Sequence, residues 1–411
     1  MKWITIKSGA KIAAILLIAM GAMCCGKAPV WVETGDKNCS TSSWSQAGLK
    51  EAQRIAEDAG ATAFILLTDG KTVASWGDLT TPTSLHSAVK AILSTLVAMN
   101  LGEGPKQIPL HATLEELDID DVPPLSDEQR QIRVIDLLRS VSGVTRDAAS
   151  EVPNMRREKR RHLGDGAPPG TTWAYNNWDY NVLITILQMR NETSLGDLFL
   201  THLASPLGMQ DIGPDTVTLV YDWPPPGGYS HPHVNIVLSA RDMARFGQLH
   251  LDHGNWNGQQ LLPEDWTTRI RTDYERTTTE SHAAGAHSYL WWLPMGETVR
   301  AAGVPEGTYY ASGLAGQKIV IFPEWDSVLV LKTDTRNFDA GLELFARERS
   351  IDPRAPDTMD AYLREIATAE CGPINERTGW CAMVPFVHIG EFAEIVNALI
   401  AARADTDGIH R

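Results

Sequence analysis

A serine and a lysine three positions apart are the first residues in the sequence whose types and spacing could do chemistry. Ser87 and Lys90 stand at the start of an apolar stretch with a helical pattern. Residues three apart share one face of a helix, so the Lys90 amine can reach the Ser87 hydroxyl. A serine becomes a useful nucleophile when a base accepts its proton, and apolar neighbours favour the neutral, proton-accepting form of a lysine. The pair predicts nucleophilic catalysis, although the same spacing also arises by chance, as at Ser8 and Lys11.

A second candidate set, Tyr175-Asn176-Asn177, precedes another predicted helix, Val182–Met189. A phenol beside an ammonium group has its ionised form favoured, so Tyr175 could take the serine proton and later return it to a leaving group. The Asn177 amide could donate to a substrate carbonyl or to Lys90. The alternative is structural, with Tyr175 as a core aromatic and the asparagines as helix caps.

A third candidate set, Ser312-Gly313-Leu314, precedes the predicted strand Lys318–Phe322. Glycine allows a ligand to approach the backbone closely. A strand edge beside Ser87 could pair with an extended substrate, and the Leu314 amide would join the Ser87 amide as an oxyanion donor. We therefore treat all three residues as candidate substrate-binding positions. Taken alone, the glycines indicate only a turn.

The elements that must position these residues follow from hydrophobic periodicity. Helical patterns alternate with short β-rich runs, two of which flank the turn signal Asp69-Gly70. The predicted helices and strands are Gln46–Asp58, Ala63–Leu67, Thr72–Trp76, Ser87–Met99, Ser239–Leu251, Lys318–Phe322 and Ser327–Leu331. Strands at both ends and helices between them predict an α+β sandwich, with a mostly antiparallel sheet flanked by helices and an inserted helical part at about residues 86–230. We expect one catalytic domain over residues 46–411.

In this order, the three motifs resemble the serine β-lactamase and penicillin-binding protein superfamily. The resemblance is to its class C-like branch of hydrolases, and in particular to members akin to 6-aminohexanoate-dimer hydrolase. Connecting segments also resemble the family: Leu137–Val144, Ser205–Met209, Ser239–Gly247, Ser288–Leu293 and Gly316–Ile319. The resemblance implies a β-lactamase/transpeptidase-like fold and an acyl-enzyme on Ser87. It makes Lys90 and Tyr175 the acid/base pair and Asn177 a substrate-positioning group, and it implies no metal and no cofactor.

One departure from the family bears on the substrate. Where β-lactamases carry Lys-Thr-Gly beside the site, this sequence has Ala311-Ser312-Gly313, so a lysine that helps to hold a substrate carboxylate is replaced by alanine. We therefore expect a serine hydrolase that cleaves a small ester, amide or peptide substrate. The alternatives are a penicillin-binding D,D-peptidase or β-lactamase, and a non-catalytic binding protein on the same fold. Trp291 and Trp292 either line the acyl pocket or belong to the core.

Composition excludes other classes of protein. The chain has 411 residues, 43% of them hydrophobic, and a net charge of -15, so disorder and collagen-like repeats are excluded. The acidic balance argues against a nucleic-acid partner. The basic run Arg156–Arg161 is expected to be a solvated helix face. His231 and His233 are expected in a solvent-exposed loop, because a metal site would need a third ligand.

The amino terminus has the layout of an export signal at residues 1–25. Three lysines precede the apolar run Ile12–Met23, which is too short to span a membrane. The signal predicts an exported protein of the periplasm or cell envelope. Cys24 or Cys25 could carry a lipid and attach the protein to a membrane, although Met23 departs from the small residue usual at that position. Residues 26–45 are expected to be a linker.

The other predictions concern cysteines and the carboxy terminus. Cys371 and Cys381 could close a short loop or remain thiols, and the state of Cys39 is equally open. Two amphipathic helices are predicted, Thr358–Ala369 and Gly390–Ala402, one of which should pack on the sheet.

Overall fold

The computed structural model describes residues 43–151, 153–220, 230–277, 285–336, 346–351, 358, 361–362, 387 and 389–407. The predictions for the export signal, for the three mature-part cysteines and for most of the helix Thr358–Ala369 lie outside these residues. Within the described part of the chain, no helix is both long and apolar enough to cross a membrane.

The strands of the described residues are numbered in chain order. They are β1 (Ala63–Thr68), β2 (Lys71–Gly77), β3 (Thr83–Ser84), β4 (Val217–Val220), β5 (His233–Leu238), β6 (Asn255–Trp256), β7 (Gln259–Gln260), β8 (Glu275–Arg276), β9 (Gly285–Ser288), β10 (Trp291–Pro294), β11 (Tyr309–Gly313), β12 (Gln317–Phe322) and β13 (Ser327–Lys332).

The helices are numbered in the same way. They are α1 (Gln46–Asp58), α2 (Val89–Met99), α3 (Asp127–Arg130), α4 (Val134–Leu138), α5 (Pro153–Leu163), α6 (Trp178–Asn191), α7 (Leu195–Leu198), α8 (Ala240–Leu251), α9 (Trp266–Thr272), α10 (Glu297–Ala301) and α11 (Ile389–Asp407). A 3-10 turn, His86–Ala88, leads into α2.

An eight-stranded antiparallel sheet in the order β2-β1-β13-β12-β11-β10-β9-β8 combines two early strands with six later ones. Strand β1 pairs with β13, which places Ile65 opposite Val330. Asp69 and Gly70 both have positive φ, as the predicted hairpin turn requires. The hairpin of β12 and β13 is also present. These pairings confirm the predicted α+β fold.

Helices cover both faces of this sheet, because side chains alternate along each strand. Ile65, Ile319 and Val330 face a core that contains α2 and α8. The opposite face packs against α1 and α11, whose residues Leu49 and Phe392 belong to the second core. Helix α11 contains the predicted segment Gly390–Ala402, so at least this one of the two predicted carboxy-terminal helices packs on the sheet.

The stretch between β3 and β5 is mainly helical, as expected, and contributes α2 to α7. Strand β4 is an exception within it, because Val217–Val220 pairs with β5, which in turn pairs with β3. Helix α2 is buried along almost its whole length. Its position brings the start of α2, the start of α6 and the end of β11 towards one another.

Candidate active site

Ser87 lies in a strained turn immediately before helix α2. The preceding residue, His86, has a φ of 47°, and its side chain is tied to Thr335, whose Oγ1 lies 3.0 Å from His86 Nε2. The backbone amide of His86 donates to Ser84 Oγ at 3.2 Å. A non-glycine residue with positive φ is held in place only by its surroundings, and such strain often accompanies a functional site. These contacts therefore fix where the Ser87 hydroxyl is presented.

Lys90 is the centre of the site. Its Nζ lies 3.5 Å from Ser87 Oγ and donates to Asn177 Oδ1 at 3.1 Å. The side chain is buried between two aromatic faces, because Nζ lies 4.1 Å from the ring centroid of Tyr180 and 4.8 Å from that of Tyr175. Such faces attract a cation, more strongly where water is excluded. The structure thus brings together Ser87, Lys90, Tyr175 and Asn177, which come from two distant stretches of the chain.

Tyr180 is a site residue that the sequence reasoning missed. Its hydroxyl contacts His233 Nδ1. Burial, together with the charges of Lys90 and His86, lowers the pKa of His233 to about 3, so this imidazole is neutral at neutral pH. Burial raises the pKa of Tyr180 well above its ordinary value, which keeps the phenol protonated. The available signal was spacing, since Asn177 and Tyr180 are three apart at the start of α6 and share a face.

Tyr175 packs against Trp292, with ring centroids 5.4 Å apart, and lies 6.2 Å from the ring of His287. Of the two candidate pocket tryptophans, Trp292 is thus the one beside the site. Trp291 is fully buried in the core and stacks on Phe246 at 5.9 Å. Trp292 therefore lies beside the site and Trp291 lies in the core, although the sequence alone could not distinguish them.

The third candidate set lies beside the Ser87 turn. A Cβ atom on Gly313 would stand 2.1 Å from the carbonyl oxygen of Leu85 and 3.1 Å from the amide nitrogen of Ala88, so only glycine fits there. The turn Leu314–Gly316 also contacts the turn that carries Ser87. This placement is compatible with an oxyanion donor at Leu314. Tyr309–Gly313 is a strand, although the glycines alone had indicated a turn.

The side chain of Ser312 hydrogen-bonds to a lysine of the neighbouring strand β12. Residues on a strand alternate between faces. Ala311 packs in the core that contains α2, whereas Tyr310 packs in the core that contains α11. Ser312 shares the Tyr310 face, where its Oγ accepts a hydrogen bond from Lys318 Nζ at 2.6 Å. The substrate-binding role of Ser312 stays a prediction, because Trp292, which packs against Tyr175, is paired with Tyr310 and therefore lies on the same face of the sheet as Ser312.

A buried ion pair supports the turn that carries Asn177. Lys159 Nζ donates to both carboxylate oxygens of Glu151, at 2.9 and 2.7 Å, and neither side chain is exposed. Glu151 Oε1 in turn accepts from the backbone amide of Asn177 at 3.3 Å. The expectation that the basic run Arg156–Arg161 is wholly solvated is wrong at Lys159, which points inward from α5.

A buried carboxyl group, that of Asp179, lies in the first turn of α6, two residues after Asn177. Ser142 Oγ donates to Asp179 Oδ1 at 2.5 Å. Burial raises the pKa of Asp179 to about 7, although hydrogen bonds from Ser142 and Asn176 favour its charged form. The carboxyl group thus links the segment before α5 to the first turn of α6.

The two histidines expected in an exposed loop are in fact largely buried. His231 is 4% exposed, and its Nδ1 lies 3.0 Å from Thr185 Oγ1. His233 begins β5 and contacts Tyr180. Among the described residues, no three or more histidine, cysteine or acidic side chains are grouped so that they could hold a metal ion.

The sequence model of the Beta-lactamase family matches residues 50–349 of this chain. That match covers well over half of the sequence and spans the Ser87, Tyr175 and Gly313 segments. The chain therefore belongs to the beta-lactamase family.

Two curated relatives match over shorter stretches. The 6-aminohexanoate-dimer hydrolase of Paenarthrobacter ureafaciens is 25% identical over 109 residues, which cover 25% of this chain and 26% of that protein. An uncharacterized protein of Alkalihalophilus pseudofirmus is 26% identical over 100 residues, which cover 24% of this chain and 30% of the relative. The chain thus spans less than a third of the length of these relatives.

Solved structures superimpose on this chain at low sequence identity. EstCE1, a hydrolase with promiscuous acyltransferase activity, superimposes with a TM-score of 0.50 at 16% identity, covering 71% of this chain and 93% of that one. The penicillin binding protein from Bacillus halodurans gives a TM-score of 0.48 at 15% identity, covering 71% and 99%.

Proposed function

We propose that the protein is a serine hydrolase that cleaves an ester or amide bond of a small substrate through an acyl-enzyme on Ser87. The observation that carries the proposal is the position of Lys90, whose amine contacts both the Ser87 hydroxyl and the Asn177 carbonyl oxygen beside the ring of Tyr175. A nucleophile within reach of an oriented base is the arrangement that covalent catalysis needs.

In the proposed reaction, Ser87 Oγ attacks the substrate carbonyl carbon while its proton passes to the Lys90 and Tyr175 pair. The oxyanion that forms would be stabilised by the amides of Ser87 and Leu314. The same pair returns the proton to the leaving alcohol or amine, and water then hydrolyses the acyl-enzyme. We assign the acid/base role to Lys90 and Tyr175 jointly, because the Lys90 amine lies 4.8 Å from the ring centroid of Tyr175 and either side chain could carry the proton.

The substrate is proposed to be one that needs no carboxylate anchor at the strand motif. Ala311 occupies the position of the family lysine, and it is buried in the core. A charge-assisted contact that is lost costs about ten- to a hundred-fold in recognition. We therefore expect neutral esters and amides to be better substrates than penicillins or peptides with a free carboxyl end.

The test compares wild-type protein with Ser87→Ala on p-nitrophenyl esters, amino-acid amides, D-peptides and nitrocefin. Ester hydrolysis that is lost in the variant supports the proposal. Equal rates for the two proteins would refute it. A labelled penicillin that acylates Ser87 would instead favour the D,D-peptidase or β-lactamase alternative, and absence of any covalent labelling would favour a binding protein.

We also propose that the protein is exported to the periplasm or cell envelope, with the amino terminus as its signal. The support is the order of lysines, apolar run and cysteines at residues 2–25. Fractionation of cells that express the full chain or a chain lacking residues 1–25 tests this. Recovery of both forms in the cytosol would contradict it, and a lipid adduct on Cys24 or Cys25 would reveal membrane attachment.

A further inference from the structure

Groups outside the three sequence motifs accept hydrogen bonds from the turn that contains Asn177. Asn177 Nδ2 donates to the carbonyl oxygen of Ser150 at 2.8 Å, and the Asn177 backbone amide donates to Glu151 Oε1 at 3.3 Å. With its amide group anchored in this way, Asn177 directs Oδ1 towards Lys90 Nζ. The Glu151 carboxylate is therefore linked to the Lys90 amine through the Asn177 turn.

Glu151 occupies a position where a carboxylate is favourable. It lies at the amino-terminal end of α6, whose first backbone amides point outward without partners in the helix. An acidic group is stabilised there by the helix dipole. The side chain is fully buried, however, so its charge requires a partner, and Lys159 supplies it. Lys159 also donates to the carbonyl oxygen of Arg146 at 2.5 Å, which ties α5 to the preceding loop.

A buried ion pair is a costly way to stabilise a fold, since apolar residues of the same size are often as good or better. This pair also contacts the site turn, because Glu151 Oε1 accepts hydrogen bonds from both Lys159 Nζ and the Asn177 backbone amide. We propose that Glu151 and Lys159 are positioning residues of the active site, which fix the Asn177 turn and through it the Lys90 amine. This inference rests on the proposed function.

The test uses two double variants that differ at one side chain. E151Q/K159M removes both charges but keeps an acceptor oxygen for the Asn177 amide. E151L/K159M removes that acceptor as well. Because neither variant leaves an unpaired buried charge, both should fold. Should E151L/K159M fail to fold, E151N/K159M replaces it, because its shorter side chain does not reach the amide.

The matched control removes an ion pair on the outer side of the same helix. Arg161 and Glu158 are paired at 2.8 Å, and their side chains are 64% and 19% exposed. The variant E158Q/R161M therefore reproduces the loss of a pair in α5 without touching the Asn177 turn. It should leave both kcat and KM within about twofold of wild type, because exposed pairs contribute little.

The measurements are kcat and KM on a p-nitrophenyl ester and hydrogen exchange of the Asn177 backbone amide. E151Q/K159M should keep kcat within about threefold, whereas E151L/K159M should lose about tenfold or more in kcat with little change in KM, as expected for one lost buried hydrogen bond. Exchange at Asn177 should accelerate only in E151L/K159M. Equal kcat and equal exchange in the two double variants would overturn the inference.

The exchange measurement separates this inference from the proposed function. If the wild-type protein hydrolyses no ester or amide, the proposed function fails. Faster exchange at Asn177 in E151L/K159M alone would still support the positioning role in that case. Active wild-type protein with identical double variants would refute the positioning role and leave the hydrolase proposal intact.

Discussion

Replacing Tyr180 tests whether its aromatic face helps to hold the Lys90 amine in place. Lys90 Nζ lies 4.1 Å from the Tyr180 ring centroid, closer than the 4.8 Å to the Tyr175 ring. Tyr180→Phe keeps the ring and removes the hydroxyl that contacts His233. Tyr180→Leu removes the ring itself. The two variants therefore separate the ring face from the hydroxyl contact.

The expected size of the effect follows from burial. Lys90 is 3% exposed, so its contact with the Tyr180 ring is shielded from water. A cation–π contact without water around it contributes about 2 kcal/mol. Each 1.4 kcal/mol corresponds to about a tenfold change in a rate constant, so losing the ring should lower activity by about thirtyfold. The change is a loss, because the ring helps to hold the Lys90 amine beside Ser87.

The assay is kcat/KM for ester hydrolysis. With Tyr180→Leu, kcat/KM should fall about thirtyfold. Tyr180→Phe should keep kcat/KM within about twofold, because the phenyl ring remains. Thermal unfolding confirms that both variants are folded at the assay temperature. A folded Tyr180→Leu protein with wild-type kcat/KM would refute the reasoning.

Three further predictions follow from other parts of the structure. Gly313→Ala should lower kcat/KM about ten- to a hundred-fold, because the added methyl group would overlap the carbonyl oxygen of Leu85; wild-type kinetics would contradict this. Ser312→Ala should keep kcat/KM within about threefold, since the Ser312 hydroxyl is already engaged by Lys318 Nζ, and a larger loss would show that Ser312 contacts the substrate. Burial lowers the pKa of His250 from 6.5 to about 3. Below pH 6.5 the unfolded chain therefore binds a proton at His250 that the folded chain does not bind, so the folded state loses stability as the pH falls. Between pH 6.5 and 5, urea unfolding should show wild type losing about 2 kcal/mol more than His250→Asn, and equal losses would contradict the assignment.

Much of the fold could be predicted because its signals are local. The Asp69-Gly70 turn lies between two β-rich runs, and the structure has the hairpin there. Strand β11 was harder, because its glycine and small residues resemble a loop. Its pairing with β12 depends on contacts that only the assembled sheet supplies.

The candidate site was predictable where one motif contains its own geometry. Ser87 and Lys90 meet because they are three apart on a helix. The remaining groups depend on tertiary contacts. Lys159 lies in a run of charges and carries no local sign that it is buried against Glu151. His233 likewise gives no local indication that it contacts Tyr180 from a buried strand. Burial and partner choice of this kind are properties of the packed protein.

The central claim is that Ser87 forms an acyl-enzyme, and intact-protein mass spectrometry tests it most directly. Wild-type protein treated with a serine-directed phosphonate should gain one adduct, which peptide mapping assigns to Ser87. Ser87→Ala should gain none, and an ester substrate present in excess should slow the labelling of wild type. An unlabelled wild-type protein, or an adduct that persists in Ser87→Ala, would contradict the account.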